Sequence, residues 1–425
     1  MEREIKIGVI GLGYVGLPLA CLFATKYQVV GLDLKQSRVD ELNGGVDSTN
    51  EVTPERLQKA LATGLTCTTD AQMLATCNVY VVTVPTPVDA HNVPDLSPLE
   101  GASKTVGKFV KKDDVVIFES TVYPGVTEDF CAPHIEKVSG LKANVDFFLG
   151  YSPERINPGD KEHTVEKIRK ITSGSTPETA DFVDKLYNSV LQNGTHRAPT
   201  IKVAEAAKVL ENTQRDVNIA LMNEMAKLLN AMGVDISDVL DAAGSKWNFL
   251  RFTPGLVGGH CISVDPYYLI SESKAKGIYP RLITEARRIN DSMSQYVVER
   301  VIKCMNMHDT AIHNANILIL GFTFKENCPD IRNSKVVDIY HHLVSYTPNV
   351  QVYDPWVDVE SAKREYGIYV DTEAESLKHG SYDAVIYCVK HREFDGMDLK
   401  SLCRPQGIIF DMKSNLPREV ITERL

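Results

Sequence analysis

No stretch of the 425-residue chain stays apolar for the roughly 18 residues that a bilayer-spanning helix needs, so no membrane segment is expected. The nine cysteines are odd in number, scattered and never paired as CxxC. That argues against a disulfide framework and against a thiolate metal site, and for a reducing, cytoplasmic setting without metal. Positive charge is in deficit, with 46 Lys and Arg against 56 Asp and Glu, a net charge of −10. Broad nucleic-acid binding is thereby disfavoured. An anionic small ligand is not, because it needs only local positive charge and backbone N–H groups. The opening residues, MEREIKIGVIGLGYVG, lack the basic leader, apolar middle and small-residue cleavage site of a signal peptide, and none is expected.

What the chain does have is the composition of a globular protein, 43% apolar and 24% charged, and a length that predicts two or three domains. The first 190 or so residues alternate helical segments with β-rich runs at 5–11, 28–33, 78–85, 114–121, 146–152 and 169–174. Near-continuous Val, Ile and Phe runs suit parallel strands buried on both faces, and strand–helix alternation predicts a doubly wound α/β sheet. From about Lys202 to Met232 apolar residues recur at helical spacing (Val203, Leu210, Val217, Leu221 and Leu228 among them), ending at Gly233. Such a helix, roughly 45 Å long, could bridge two domains. A second long helix is expected over 280–307. Alternation returns from Asn314, where ILILGFTFK followed by VYDP echoes KIGVIGLGYVG followed by VGLD, with Gly321 and Asp354 as structural counterparts of Gly11 and Asp33. The expected architecture is therefore two Rossmann-like doubly wound parallel-sheet domains joined by a long central helix. Residues 1–198 form the cofactor domain, 199–309 the helical connector and dimerisation region, and 310–425 the second domain.

Gly11-Leu12-Gly13-Tyr14-Val15-Gly16 is a G-x-G-x-x-G between a strand and an apolar helix, followed by a second strand that ends in Asp33. Its glycines allow a tight turn and let a pyrophosphate approach backbone N–H groups at a helix N-terminus, while Asp33 suits the ribose hydroxyls and repels a 2′-phosphate. This predicts NAD in preference to NADP, with Lys35 and Arg38 near enough in sequence to weaken the preference. The nicotinamide end is expected near VPTP (84–87), with Thr86, and FESTVYPG (118–125), with Thr121.

Four further stretches stand out: GYSPERINPG (150–159), AEAAKVLENTQRD (204–216), GLVGGHCISVDPYY (255–268) and GFTFKENCPDIRNSK (321–335). With the N-terminal fingerprint they resemble the NAD-dependent nucleotide-sugar 6-dehydrogenases, the UDP-glucose and UDP-N-acetylhexosamine enzymes, over essentially the whole chain. The resemblance implies oxidation of a primary alcohol to a carboxylate in two hydride transfers, with a cysteine nucleophile. Cys261 occupies that position in G-G-x-C. Its thiolate would capture the intermediate aldehyde and pass through a hemithioacetal to a thioester that water cleaves, although a buried cysteine is more often inert packing. The other eight keep that plainer reading. Asp265 matches the family's acidic partner, and with Pro266 it is equally a helix N-cap pair. Lys208 and Asn212, one turn apart, match the pair that holds the oxyanion at the sugar C6, against the usual solvated fate of a lysine. Thr121 matches a threonine beside the reacting hydroxyl and nicotinamide, and Glu154 a glutamate that shuttles protons through water. Lys325 matches a substrate-directed lysine, and Arg332 an arginine that reaches the cofactor, with plain surface charge the competing reading. Phe249, Leu250 and Gly258 fall in the loop that wraps the nucleoside, with Trp247 equally placed for a dimer core and His260 structural.

UDP-glucose members resemble PEFLAEG or PEFLREG where this chain has Pro158 in PERINPG, and the gain of Arg155 changes the sugar pocket. The pattern is similar to the branch that handles 2-acetamido sugars. The resemblance therefore implies a homodimeric UDP-N-acetyl-D-glucosamine 6-dehydrogenase supplying a capsule or O-antigen polysaccharide, with the galactosamine epimer or UDP-glucose as alternative substrates. A one-step hydroxyacid dehydrogenase and a non-catalytic NAD-binding regulator are the competing readings.

Overall fold

The computed structural model describes residues 4–156 and 164–425. They form two compact units, one of Met1–Glu211 with Tyr267–Lys276 and the other of Asn212–Pro266 with Gly277–Leu425.

The first unit is built on an eight-stranded sheet. Its strands are β1 (Lys6–Ile10), β2 (Gln28–Leu32), β3 (Leu65–Thr68), β4 (Val79–Val82), β5 (Val115–Phe118), β6 (Phe148–Tyr151), β7 (Lys170–Gly174) and β8 (Thr195–Arg197), in the order β3-β2-β1-β4-β5-β6-β7-β8. Helices α1 (Gly16–Phe23), α2 (Gln36–Asn43), α3 (Pro54–Thr63), α4 (Ser97–Gly107), α5 (Ala132–Ser139) and α6 (Pro177–Asn188) accompany it. VYVV and VVIF lie in mid-sheet and are buried on both faces, which is why they read as continuous apolar runs. The first six strands pair in parallel, as expected, but β7 runs antiparallel to β6. Strands β3 and β8, LTCT and THR, escaped the sequence reading because they are short and only half apolar.

Helix α7 (Ile201–Ala231) runs for 31 residues, as the periodicity predicts. Val203, Leu210, Leu221 and Leu228 are exposed. At about 100° per residue their spacing puts them on one stripe. The buried side carries Glu205, Lys208, Asn212, Asp216 and Asn223. Polar side chains packed inside a long helix point to a site, because each needs a partner or a ligand there.

The second unit continues with α8 (Ile236–Gly244), and α9 (Asp265–Ala275) returns the chain to the first. The single helix expected over 280–307 is two, α10 (Arg281–Asp291) and α11 (Met293–Met307). The break falls at Ser292, whose hydroxyl donates to the Ile289 carbonyl at 2.7 Å and competes with the helical ladder. A five-stranded sheet follows, β9 (Ile317–Leu320), β10 (Val350–Tyr353), β11 (Tyr382–Tyr387), β12 (Cys403–Asp411) and β13 (Glu423–Arg424), in the order β10-β9-β11-β12-β13 and parallel throughout. It is the second doubly wound sheet that the sequence predicts. Helices α12 (Val336–Val344), α13 (Val359–Tyr366) and α14 (Leu399–Leu402) complete it. Among the described residues no helix is long and apolar enough to cross a membrane.

Candidate active site

The glycine-rich turn is shaped for a phosphate. Gly11 takes φ +97°, a left-handed conformation that favours glycine, and a Cβ on Gly16 would fall 1.8 Å from the Gly11 carbonyl oxygen. A Cβ on Gly13 would meet nothing within 4 Å, so its backbone is open to a pyrophosphate next to the N-terminus of α1. Tyr14 and Val15 flank that opening, both half-buried. Asp33 accepts the Leu12 and Lys35 N–H groups, each at 2.9 Å. Arg38 is not available to a 2′-phosphate: it donates to the Leu12 carbonyl at 3.0 Å and pairs with Asp47 at 2.7 Å and Glu41 at 2.8 Å, bracing the turn from behind. These residues fit the adenosine and pyrophosphate portions of NAD.

At the same sheet edge, Thr86 donates its hydroxyl to the Thr121 carbonyl at 2.8 Å, and Ser120 donates to the Val84 carbonyl at 2.6 Å. The two loops expected at the nicotinamide end are thus stitched together. Glu205, a turn ahead of Lys208 on α7, accepts the Gly125 and Thr127 N–H groups at 2.6 and 2.9 Å and anchors the loop carrying Thr121. Burial pushes the Glu205 carboxyl up to about 7, despite those two bonds.

Glu154 belongs to a network that the sequence reading missed. Lys170, fully buried, donates to Glu119 at 2.7 Å, to the Pro153 carbonyl at 3.1 Å and to Glu154 at 3.3 Å, and Tyr187 donates to Glu119 at 2.5 Å. Arg155 turns to Glu211 at 2.7 Å and to the Arg169 carbonyl at 2.8 Å. Pro158 lies outside the described residues.

Lys208 is 7% exposed and makes no hydrogen bond or ion pair among the described residues. Asn212, a turn further on, donates to Asp265 at 2.5 Å, and both are buried. Two residues 53 apart in sequence, both named from the same resemblance, thus meet. Asp265 also opens α9, as its helix-starting reading expects. In the loop before it, Asn223 pairs with both backbone groups of Gly255, donating to the carbonyl at 3.0 Å and accepting the N–H at 2.8 Å. The space over the glycine pair is occupied by the protein. A Cβ on Gly258 would lie 2.6 Å from the Asn333 carbonyl oxygen, and one on Gly259, at φ +77°, 2.8 Å from the Phe324 ring. The loop is therefore bound tightly to the 321–335 segment. Arg332 faces Asp330 at 2.6 Å and His260 at 3.3 Å, which ties the residue before Cys261 to the same segment.

Cys261 is half-exposed, and its carbonyl accepts the Val264 and Asp265 N–H groups at 3.0 and 2.8 Å. Burial pushes the thiols of Cys67 and Cys403 up to about 11, keeping them as inert thiols. Lys325, half-buried, follows Thr323, whose hydroxyl donates to the Lys325 carbonyl at 2.9 Å. Phe249 packs against Met222, Ala226, Ile236 and Leu240, while Leu250 and Trp247 are exposed, Trp247 to 92%.

Known proteins carry the same plan. Residues 5–191, 202–292 and 318–418 match the NAD binding, central and UDP binding domains of the UDP-glucose/GDP-mannose dehydrogenase family. The chain is 53% identical over 426 residues to the UDP-N-acetyl-D-glucosamine 6-dehydrogenase of Pseudomonas aeruginosa, covering 100% of each. It is 50% identical over 425 residues to the enzyme of that name from Salmonella typhi, covering 99% of each. Among solved structures, the UDP-D-ManNAc dehydrogenase of Pyrococcus horikoshii superposes with a TM-score of 0.88 at 33% identity, over 97% of this chain and 96% of that one. A phosphate-ready glycine turn, a buried lysine without a partner among the described residues, an Asn–Asp pair and a braced cysteine loop are thus found in a chain that belongs to the UDP-glucose/GDP-mannose dehydrogenase family.

Proposed function

We propose that the chain oxidises the C6 alcohol of UDP-N-acetyl-D-glucosamine to the carboxylate, using two NAD⁺ and one water, to supply a surface polysaccharide. The observation that carries this reading is the full-length identity with two enzymes of that name. Residues 1–198 hold the cofactor, with Gly11, Gly13, Tyr14, Val15, Gly16, Asp33, Thr86 and Thr121 around it and Arg332 reaching it. Residues 199–309 carry the thiol, and 310–425 take the UDP-sugar, with Lys325, Gly258, Phe249, Leu250 and Arg155 as its contacts. When bound, NAD⁺ accepts a hydride in each oxidation.

Lys208, whose ammonium has no partner among the described residues, and Asn212 hold the C6 oxygen as its proton leaves. The Cys261 sulfur then adds to the aldehyde carbon, forming a C–S bond, and Asp265 takes the proton that this step releases. A second oxidation leaves a thioester. Water adds to its carbon, giving up a proton to Glu154, and the C–S bond breaks with the electron pair returning to sulfur.

The stripe of Val203, Leu210, Leu221 and Leu228 supports a homodimer, since an exposed apolar face this long is usually covered. The cysteine pattern supports a cytoplasmic setting.

The deciding experiment measures NADH released per sugar over UDP-N-acetylglucosamine, UDP-N-acetylgalactosamine and UDP-glucose. The expected result is two NADH per UDP-N-acetylglucosamine and, in Cys261→Ser, loss of the second. One NADH per sugar with a fully active Cys261→Ser would establish a one-step dehydrogenase instead. No turnover of any UDP-sugar by a protein that binds NAD would establish a regulator. A higher rate with the galactosamine epimer would reassign the sugar.

A further inference from the structure

We infer that Lys170 is a positioning residue that aims Glu154, with Glu119, held on the same ammonium, as the neighbouring store for a proton. The inference rests on the proposed role of Glu154 in the water-dependent step and deepens it.

The strand reversal at β7 makes the arrangement possible. In a parallel sheet the ligand edge is the one where strands end, and only residues after each strand reach it. Because β7 runs the other way, its first residue lies at that edge. The register Gly150↔Gly174 and Tyr151↔Ser173, continued along the two chains, sets Lys170 opposite Glu154. Glu119 follows β5 at the same edge, two residues before Thr121.

Every donor of the Lys170 ammonium is used, on Glu119, Glu154 and the Pro153 carbonyl. The second oxygen of Glu154 accepts the Arg155 and Ile156 N–H groups at 2.6 and 2.7 Å. The carboxylate is therefore held at both ends. Groups facing it come from every neighbouring element: Glu119 from β5, Lys170 from β7, Tyr187 from α6 through Glu119, and Arg155 beside it, itself paired with Glu211 of α7. Among the described residues, two carboxylates around one ammonium leave one negative charge in excess, and a buried setting resists it. Burial pushes Glu119 up to about 7. Burial also opposes the charge on Lys170, but Glu119 and Glu154 outweigh it and the lysine stays protonated. Tyr187 remains a neutral donor, held so first by burial and then by Glu119. Near neutral pH Glu119 is thus the group of this cluster that takes up a proton.

The test is the acid limb of kcat at saturating substrate, with intact-mass detection of the acyl group on Cys261 during turnover. Glu119→Gln leaves Lys170 with a single carboxylate, so the limb should move to lower pH. Lys170→Met leaves two carboxylates with no cation, so it should move up by about one pH unit or more, with acyl-enzyme accumulating below it. A structural role predicts no such opposite movement. An unmoved limb in Glu119→Gln overturns the inference by itself, even should Lys170→Met fail to fold. Glu154→Gln with normal turnover and no acyl-enzyme overturns the assignment of Glu154 instead. A slow, acyl-accumulating Glu154→Gln beside an unmoved Glu119→Gln overturns only the part given to Lys170 and Glu119.

Discussion

Asp33 and Asp354 close the same kind of turn in the two sheets. In each, a glycine after the first strand takes a left-handed conformation, Gly11 at φ +97° and Gly321 at +88°. Each glycine N–H donates to the last residue of the next strand, Gly11 to Leu32 at 2.8 Å and Gly321 to Tyr353 at 2.9 Å. Each aspartate then accepts the N–H after the glycine, from Leu12 at 2.9 Å and from Phe322 at 2.6 Å. From there the turns diverge. Asp33 stays partly exposed beside two further glycines and can accept hydroxyls from a ligand. Asp354 is fully buried and takes the Thr323 and Trp356 N–H groups at 3.0 and 2.8 Å and His391 Nε2 at 2.9 Å. The turn is a device of parallel sheets, and it becomes a dinucleotide site only where the protein leaves the aspartate's remaining lone pairs unused.

The sharpest way to break this comparison is to truncate both aspartates. Asp354→Ala strands several buried donors and should destabilise the protein by about 3 kcal/mol or more. Asp33→Ala should leave stability within about 1 kcal/mol, while weakening NAD binding roughly 10- to 100-fold through loss of charge-assisted bonds. Denaturant unfolding and NAD titration of both variants test this. A fully stable Asp354→Ala, or an Asp33→Ala with undiminished affinity, would show that the two turns do not differ as described.

How much of this the sequence discloses depends on how local each cause is. The first turn is legible because its glycines, flanking strand and Asp33 lie within 23 residues and each has one physical reason to be there. The echo at Gly321 and Asp354 is legible for the same cause, but its plug is not, since His391 arrives from 37 residues beyond the aspartate. Helix α7 is legible in length, but the polar residues on its buried side are not explained by the sequence. Its leucines set the period, but the buried side was taken by Glu205, Asp216 and Asn223, whose partners Gly125, Arg287 and Gly255 come from distant segments. Lys170 offered little signal, a lysine opening a strand whose one apolar side chain is Ile171. Its meaning depended on β7 running antiparallel, which no residue in RKITSG declares.

Glycine replacements sharpen the same contrast at smaller effect. A Cβ on Gly321 would lie 2.5 Å from the Val389 Cβ, on a backbone already at positive φ. Gly321→Ala should therefore lose about 1 to 3 kcal/mol of stability with NAD affinity unchanged. Gly13→Ala meets no protein atom, so its stability should hold. Its methyl group would occupy the ligand's space, and a tenfold weaker NAD affinity, about 1.4 kcal/mol, is the least expected. Calorimetric melting with and without NAD distinguishes the two variants. Equal thermal losses would mean that the first turn is as filled as the second.

The smallest effects concern pH, and they carry opposite signs in the two units. Glu205 and Asp354 both serve as buried acceptors of backbone N–H groups, but only Asp354 has a histidine against it. Burial raises Glu205 to about 7, well above its unfolded value near 4.3. The folded state then holds that proton more tightly, so its contribution is present below about pH 4.3 and is lost as pH rises towards 7. Burial works the same way on Asp354, but His391 and the backbone N–H groups outweigh it and lower its carboxyl. Its contribution is present above the unfolded value near 3.9 and lost as pH falls through the lower folded one. Neither slope can exceed about 1.4 kcal/mol per pH unit, the limit for one proton. Unfolding free energies from pH 3 to 8 should therefore show Glu205→Gln gaining on the wild type between pH 4 and 7. Asp354→Asn should lose less than the wild type below pH 4. If both variants track the wild type in parallel, neither carboxyl changes its hold on a proton between the folded and unfolded states, and the opposite signs assigned to burial at Glu205 and to His391 at Asp354 are wrong.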